Sequence, residues 1–185
     1  MKKEKLELRM YFFVAYQLTG IQQGIQAGHA ALEYAKQYGN DPQFIDFVDN
    51  WKTWIILNGG TTNSRRDKNK LSIGSLNQLA DQLSLANEID NGIKYSYFCE
   101  PDLENALTAI CFICDERVFD YEKYPDFKVF LKNHIDKPLD YSVDFKLLYD
   151  DLKFKYTTYF IEWGKTLGGS ENVFLRELLK GKKFA

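Results

Sequence analysis

The stretch Met10–Leu18, MYFFVAYQL, constrains the chain most. It is apolar and aromatic over the length of a central β-strand, and too short to cross a bilayer, which takes roughly 18–20 apolar residues. Thr19-Gly20 breaks it and opens a helix that runs to about Tyr38 and stops at Gly39-Asn40. Asp41-Pro42 starts a second helix, with Asp41 as N-cap, Pro42 at the first helical position and Phe44, Ile45, Phe47, Val48 and Trp51 at helical spacing. Trp54–Leu57 reads as a short buried strand and Asn58–Lys70 as a polar, basic loop. Ser75–Asn87 reads as a helix with Leu76, Leu79, Leu83 and Ala86 on one face. After the turn Asp90-Asn91-Gly92, two strands follow, Ile93–Cys99 and Leu107–Asp115, expected to pair antiparallel across Glu100–Ala106. The order β-α-α-β-α-β-β predicts an α/β fold, a three-layer sandwich with a mixed β-sheet.

The chain has 185 residues, 24 Lys+Arg against 26 Asp+Glu, and a net charge of −2. That length suits one domain of residues 1–116 and a mainly helical C-terminal extension, 117–185, packed on it. Ser170–Lys180 predicts a helix after Gly168-Gly169, with Val173, Phe174 and Leu178 on one face. Near-neutral charge argues against an extended nucleic-acid coat. The N-terminus lacks the apolar core of a signal peptide, so a soluble cytoplasmic protein, without membrane association, is expected. Cys111-Phe-Ile-Cys114 has the spacing of a redox or zinc half-site but lies within the apolar run Leu107–Cys114. Residues three apart on a strand point to opposite faces, so these thiols read as core; no metal or other cofactor is expected.

The helix after the first strand is the most informative segment. At helical spacing Gln22, Gln26, His29 and Glu33 share a polar face, Ile21, Ile25 and Leu32 an apolar stripe, and Gly24, Gly28, Ala31 and Ala35 a small-residue seam. A glycine inside a helix costs about 1 kcal/mol relative to alanine. Two glycines four apart therefore call for close approach to the sheet or for a bound ligand.

Gln26-x-x-His29-Ala30 after a hydrophobic strand resembles the first strand and helix of type 2 peptidyl-tRNA hydrolases. The segment from Leu76 to about Ile113 is also similar to that family: a Leu-rich helix, a strand, an acidic loop, then Leu107-Thr108-Ala109-Ile110 opening the last strand. The resemblance implies a sandwich in which the helix start and the acidic loop meet at one site, and hydrolysis of the ester joining a peptide to tRNA. Gln22 stands at the family's lysine, Glu100 or Asp102 at its acid, and Thr108 at its threonine; Gln26 and His29 match directly. On this reading Glu100, Asp102, Thr108 and Gln22 carry the chemistry, while Gln26, His29 and Tyr16 bind ligand. Arg65, Arg66 and Lys68 in Ser64–Lys70 would grip phosphate.

A basic loop and an acidic middle (Glu100, Asp102, Glu104, Asp115, Glu116) favour an RNA end or a small nucleotide over a long duplex. The expected activity is that of a divergent hydrolase on such a ligand, with peptidyl-tRNA hydrolysis as its strict form. The ending, Gly168–Ala185, is similar to uncharacterised proteins of tailed phages. That likeness suggests a counter-defence protein in a host cytoplasm that cleaves or sequesters a cyclic nucleotide signal. A third reading is a non-enzymatic protein-interaction module; a homodimer is compatible with each.

Overall fold

A computed structural model of the chain describes residues 5–63, 73–90, 92–135 and 149–185. Two compact units are present: Met1–Glu116 together with Leu179–Ala185, and Arg117–Leu178. The first is an α/β unit built on a mixed sheet of four strands, in the order β2-β1-β4-β3. β1 (Leu8–Ala15) pairs parallel with β2 (Thr53–Gly60) and antiparallel with β4 (Ala106–Asp115), which pairs antiparallel with β3 (Tyr95–Glu100). Every residue of β4 is buried, because it lies inside the sheet and carries side chains against both layers.

Helix α1 (Gly20–Tyr38) covers one face. Alternate residues of β1 (Leu8, Met10, Phe12, Val14) and of β4 (Ala109, Cys111, Ile113) meet its Ala27, Ala30 and Tyr34 in one core cluster. Helix α3 (Ser75–Asp90) lies on the other face, where a Cβ on Gly59 of β2 would strike Leu76, and Leu79 and Leu83 are also buried. Cys111 sits in the α1-side core with its Sγ 3.2 Å from the Ala30 carbonyl, and burial pushes its thiol far up. It is an inert packing residue.

Several expected boundaries move. β1 stops at Ala15, because the chain turns before α1. β2 runs on through Asn58-Gly59-Gly60, expected as loop, because these residues keep pairing with β1 across a bulge that absorbs Gly59. Gly60 has φ +82°, and a Cβ there would lie 2.0 Å from Ser75 Oγ, so glycine is required. The second helix is short: α2 (Pro42–Asp46), capped by Asp41, passes into a π turn (Phe47–Trp51) that ends at left-handed Lys52, φ 57°. β2 follows at once, which leaves no length for a regular helix.

The exposed edge of β2 is closed by the end of the chain. Asn58 N–H donates to Lys183 O (2.9 Å), Ala185 N–H donates to Ile56 O (3.2 Å), and Phe184 bridges Leu57 antiparallel.

In the second unit the short α4 (Glu116–Phe119), which begins at the division, precedes α5 (Phe127–His134), α6 (Tyr149–Lys155), α7 (Thr157–Thr166) and α8 (Ser170–Leu179). Phe127, Phe130, Leu131, Leu152, Trp163 and Leu167 form its core. α8 buries Asn172, Leu175, Arg176 and Leu178: of the expected face Leu178 is buried, while Val173, packed against this core, and Phe174 are half-buried, so the buried stripe is turned from the expected one. The reason is Arg176, 1% exposed, whose guanidinium collects the carbonyls of Arg117 (2.8 Å), Val118 (3.3 Å) and Tyr124 and reaches Asp126 (3.4 Å). Tyr121 lies 3.9 Å beneath the guanidinium, so one cation satisfies a loop otherwise full of orphan acceptors.

Replacing Arg176 by Met should destabilise the chain by about 3 kcal/mol or more, and Lys should rescue little, since it lacks the planar fork. Urea unfolding followed by circular dichroism measures both. A second expectation concerns Asp41. Burial alone would raise its carboxyl, but the bonds from Lys94 Nζ (2.6 Å) and from the Gln43 N–H hold it below the usual range. Asp41→Asn should cost about 0.5–1 kcal/mol at neutral pH, the exposure of Lys94 keeping the figure small. A carboxyl depressed in the fold contributes above its unfolded value, near 4, and loses that contribution as pH falls through the folded one. The gap between wild type and variant should therefore close in acid, as read by urea midpoints across a pH series.

Candidate functional site

Where α1 crosses the end of β3, the structure brings together three residues that sequence reading singled out. Thr108 Oγ1 lies 2.7 Å from Gln26 Oε1, and Gln26 Nε2 lies 2.6 Å from Glu100 Oε2. Thr108 is 0% and Gln26 6% exposed, while Glu100 is partly open to solvent. An ionised carboxylate only accepts, so the amide must turn its NH2 to Glu100 and its oxygen to Thr108, which then donates. The hydroxyl has the Phe98 carbonyl at 3.2 Å as a second acceptor. The result is a directed chain, Thr108 to Gln26 to Glu100, that fixes one carboxylate oxygen, while Oε1 has no hydrogen-bond partner among the described residues.

A bulge makes this possible. Phe98 pairs with Ala109 and Cys99 with Leu107, so β4 carries one extra residue, Thr108. Strict alternation would send Thr108 away from the α1 face that Ala109, Cys111 and Ile113 occupy. The extra residue re-aims it towards Gln26. The loop after β3 helps to hold Glu100: a 3₁₀ turn (Pro101–Leu103) is followed by Glu104 and Asn105, both left-handed (φ 56° and 57°), and Asn105 N–H returns to Glu100 O at 3.0 Å.

Other expected site residues go elsewhere. Gln22 is exposed and bound to the helix cap: its Oε1 accepts from Thr19 N–H and Thr19 Oγ1, each 3.0 Å away, and its own N–H donates to Thr19 Oγ1 at 3.4 Å. This is a capping box, and the signal Thr19-x-x-Gln22 was present in the sequence. Asp102 stands exposed on the 3₁₀ turn with no bond to the Thr108–Gln26–Glu100 chain. Tyr16 is more than half exposed beyond β1, joined there through its backbone N–H to Gly60 O at 3.0 Å. His29 packs its ring 4.5 Å from that of Phe98, and its buried Nδ1 has no hydrogen-bond partner among the described residues. Arg65, Arg66 and Lys68 lie outside the described residues. Thr61 and Ser75 are bonded to each other: Thr61 N–H donates to Ser75 Oγ (2.9 Å) and Ser75 N–H to Thr61 Oγ1 (3.1 Å).

The faces of α1 depart from expectation. Ile21, Ile25 and Leu32 are 81%, 50% and 69% exposed, whereas Gln23 and Gln26 are buried against the sheet. Gln23, which sequence reading missed, donates through Nε2 to Ala15 O at 3.4 Å and ties the helix to the end of β1. No local signal marks it, since a glutamine is ordinarily a surface residue. Added Cβ atoms on Gly24 and Gly28 would meet nothing, so neither glycine serves close approach to the sheet.

No family model matches the chain, and no curated protein matches it in sequence. Among the described residues no helix is long and apolar enough to cross a membrane.

Thr108→Val keeps the shape but strips Gln26 Oε1 of its donor, and should cost about 1–3 kcal/mol. The pair Thr108→Val with Gln26→Leu should cost less than the sum of the single changes, because both polar ends then vanish together. A double-mutant cycle in urea measures the coupling.

Proposed function

We propose that the first unit is a divergent hydrolase of the type 2 peptidyl-tRNA hydrolase kind, acting on an RNA-derived or small nucleotide ligand. The Thr108–Gln26–Glu100 chain carries the proposal. It joins residues on α1, β3 and β4 that matter only together, and it delivers a carboxylate with one oxygen fixed and the other open. In the strict form the bond broken is the ester between a peptidyl carbonyl and a ribose oxygen of tRNA. Glu100 Oε1 takes a proton from water as that water attacks the carbonyl carbon. The C–O bond to ribose then breaks, and the proton passes from Glu100 to the departing ribose oxygen. Gln26 and Thr108 are positioning residues, holding Glu100 in line. Arg65, Arg66 and Lys68 are assigned to phosphate on the charge of their sequence.

At the helix start, where the family places an ammonium, stands the amide of Gln22, bound to Thr19. This favours, as a second reading, capture or cleavage of a cyclic nucleotide, which does not need the same stabilisation of a carbonyl oxyanion.

Incubation of the full chain with N-acyl-aminoacyl-tRNA, and separately with cyclic dinucleotides, resolves the two by chromatography of products. Glu100→Gln should lower turnover by about a hundredfold or more, while Asp102→Asn should have little effect. Replacing Arg65, Arg66 and Lys68 by Ala should raise KM more than it lowers kcat. Stoichiometric retention of a cyclic dinucleotide without product identifies the sequestering form. No turnover and no retention of any nucleotide would sink both.

A further inference from the structure

Alongside the polar chain, the first unit has a cleft of about 610 Å³ between α1 and the segment of α2 and the π turn. Ile25, Gly28 and Leu32 form one wall, and Phe44, Val48 and Trp54 the other. Its volume falls in the range of small-molecule sites, and its walls are almost wholly apolar. Ile25, Leu32 and Trp54, all exposed, line this cleft, which reaches the sheet at Met10 and Trp54. Gly28 lines the cleft, and a Cβ on it would meet no protein atom within 4 Å. Gly24 and Gly28 thus separate, since Gly24 is equally unobstructed but lies outside the cleft lining.

Charge supplies the remaining information. No lining residue is an acid. Lys52, exposed and held left-handed where the π turn ends, is the one cation of the lining, and it forms no ion pair among the described residues. An apolar cavity with one ammonium at its border, unpaired among the described residues, complements an amphiphile that has a compact apolar body and one negative group.

We propose that this cleft binds a small apolar anion, an aromatic or branched aliphatic carboxylate or its sulfonate equivalent, with the body between α1 and Trp54 and the charge towards Lys52. The site is distinct from the Thr108–Gln26–Glu100 chain and stands or falls independently of the hydrolase reading.

The probes are anilinonaphthalene sulfonate, an apolar aromatic anion, and the uncharged phenyl-naphthylamine. The full chain is titrated with each and read by dye emission and tryptophan quenching. One saturable site is expected for the sulfonate. Gly28→Leu, which fills the cleft, should weaken both probes at least about tenfold, while its thermal midpoint does not fall, because leucine is the better helix former. Gly24→Ala should leave both affinities within about twofold while gaining the same helical advantage. Lys52→Glu should weaken the sulfonate roughly five- to tenfold and leave the neutral dye within about twofold. Unchanged binding to Gly28→Leu overturns the site, and equal loss of both probes in Lys52→Glu overturns the preference for anions. Sedimentation showing a wild-type dimer that Gly28→Leu dissociates, with dye binding confined to the monomer, would assign the cleft to a second copy and overturn the proposal.

Discussion

Ten consecutive buried residues in β4 set the terms for the first unit. A strand with no wet face needs a neighbour on each edge and a layer on each side. β1 and β3 supply the edges, α1 and α3 the layers. Thr108 is the polar member of that strand besides its last residue, and a hydroxyl in such a place must find a partner or destabilise the whole. The bulge and Gln26 meet that demand, and Gln26 in turn must satisfy its other end, which it does on Glu100. The orientation of the carboxylate is thus set by a packing requirement two residues away.

That dependence explains why α1 turns glutamines inward and isoleucines outward. The side of a helix that meets a sheet is chosen by the summed fit of all its residues. Ala27, Ala30 and Tyr34 fit the sheet closely, and Gln23 and Gln26 share their stripe. Gln26 is bonded at both ends of its amide and Gln23 through its Nε2, so their burial costs less than that of unpartnered amides. Ile21, Ile25 and Leu32 are then left on the opposite side, against water or against whatever occupies the cleft.

The sequence carried the outline of this architecture and little of its fine geometry. A first strand, read over Met10–Leu18 and found over Leu8–Ala15, the helix from Gly20 to Tyr38, the Asp41-Pro42 start and the buried run up to Asp115 all follow from local pattern, because each rests on neighbours in sequence. Thr108, Gln26 and Glu100 were legible as candidates through a family likeness, though the hydrogen bonds joining them were not. A bulge is a property of two paired strands, and nothing near Thr108 announces one. The same holds for Arg176, whose four backbone and side-chain acceptors come from residues 117–126 and leave no trace around position 176. Gln22 was legible in a different sense: Thr19-x-x-Gln22 is a capping pattern, and the capping box is what holds its side chain.

The closure of the β2 edge by residues 183–185 has a topological consequence. The chain leaves the first unit after Glu116 and comes back at Leu179. Residues 117–178 are therefore an insertion between two parts of one sheet unit and not an appendage at its end. Joined to the first unit by two strands of chain, the inserted unit cannot be trimmed from the C-terminal side without also uncovering the β2 ladder. Excising it by joining 116 to 179 is the cut that keeps residues 183–185 with that edge.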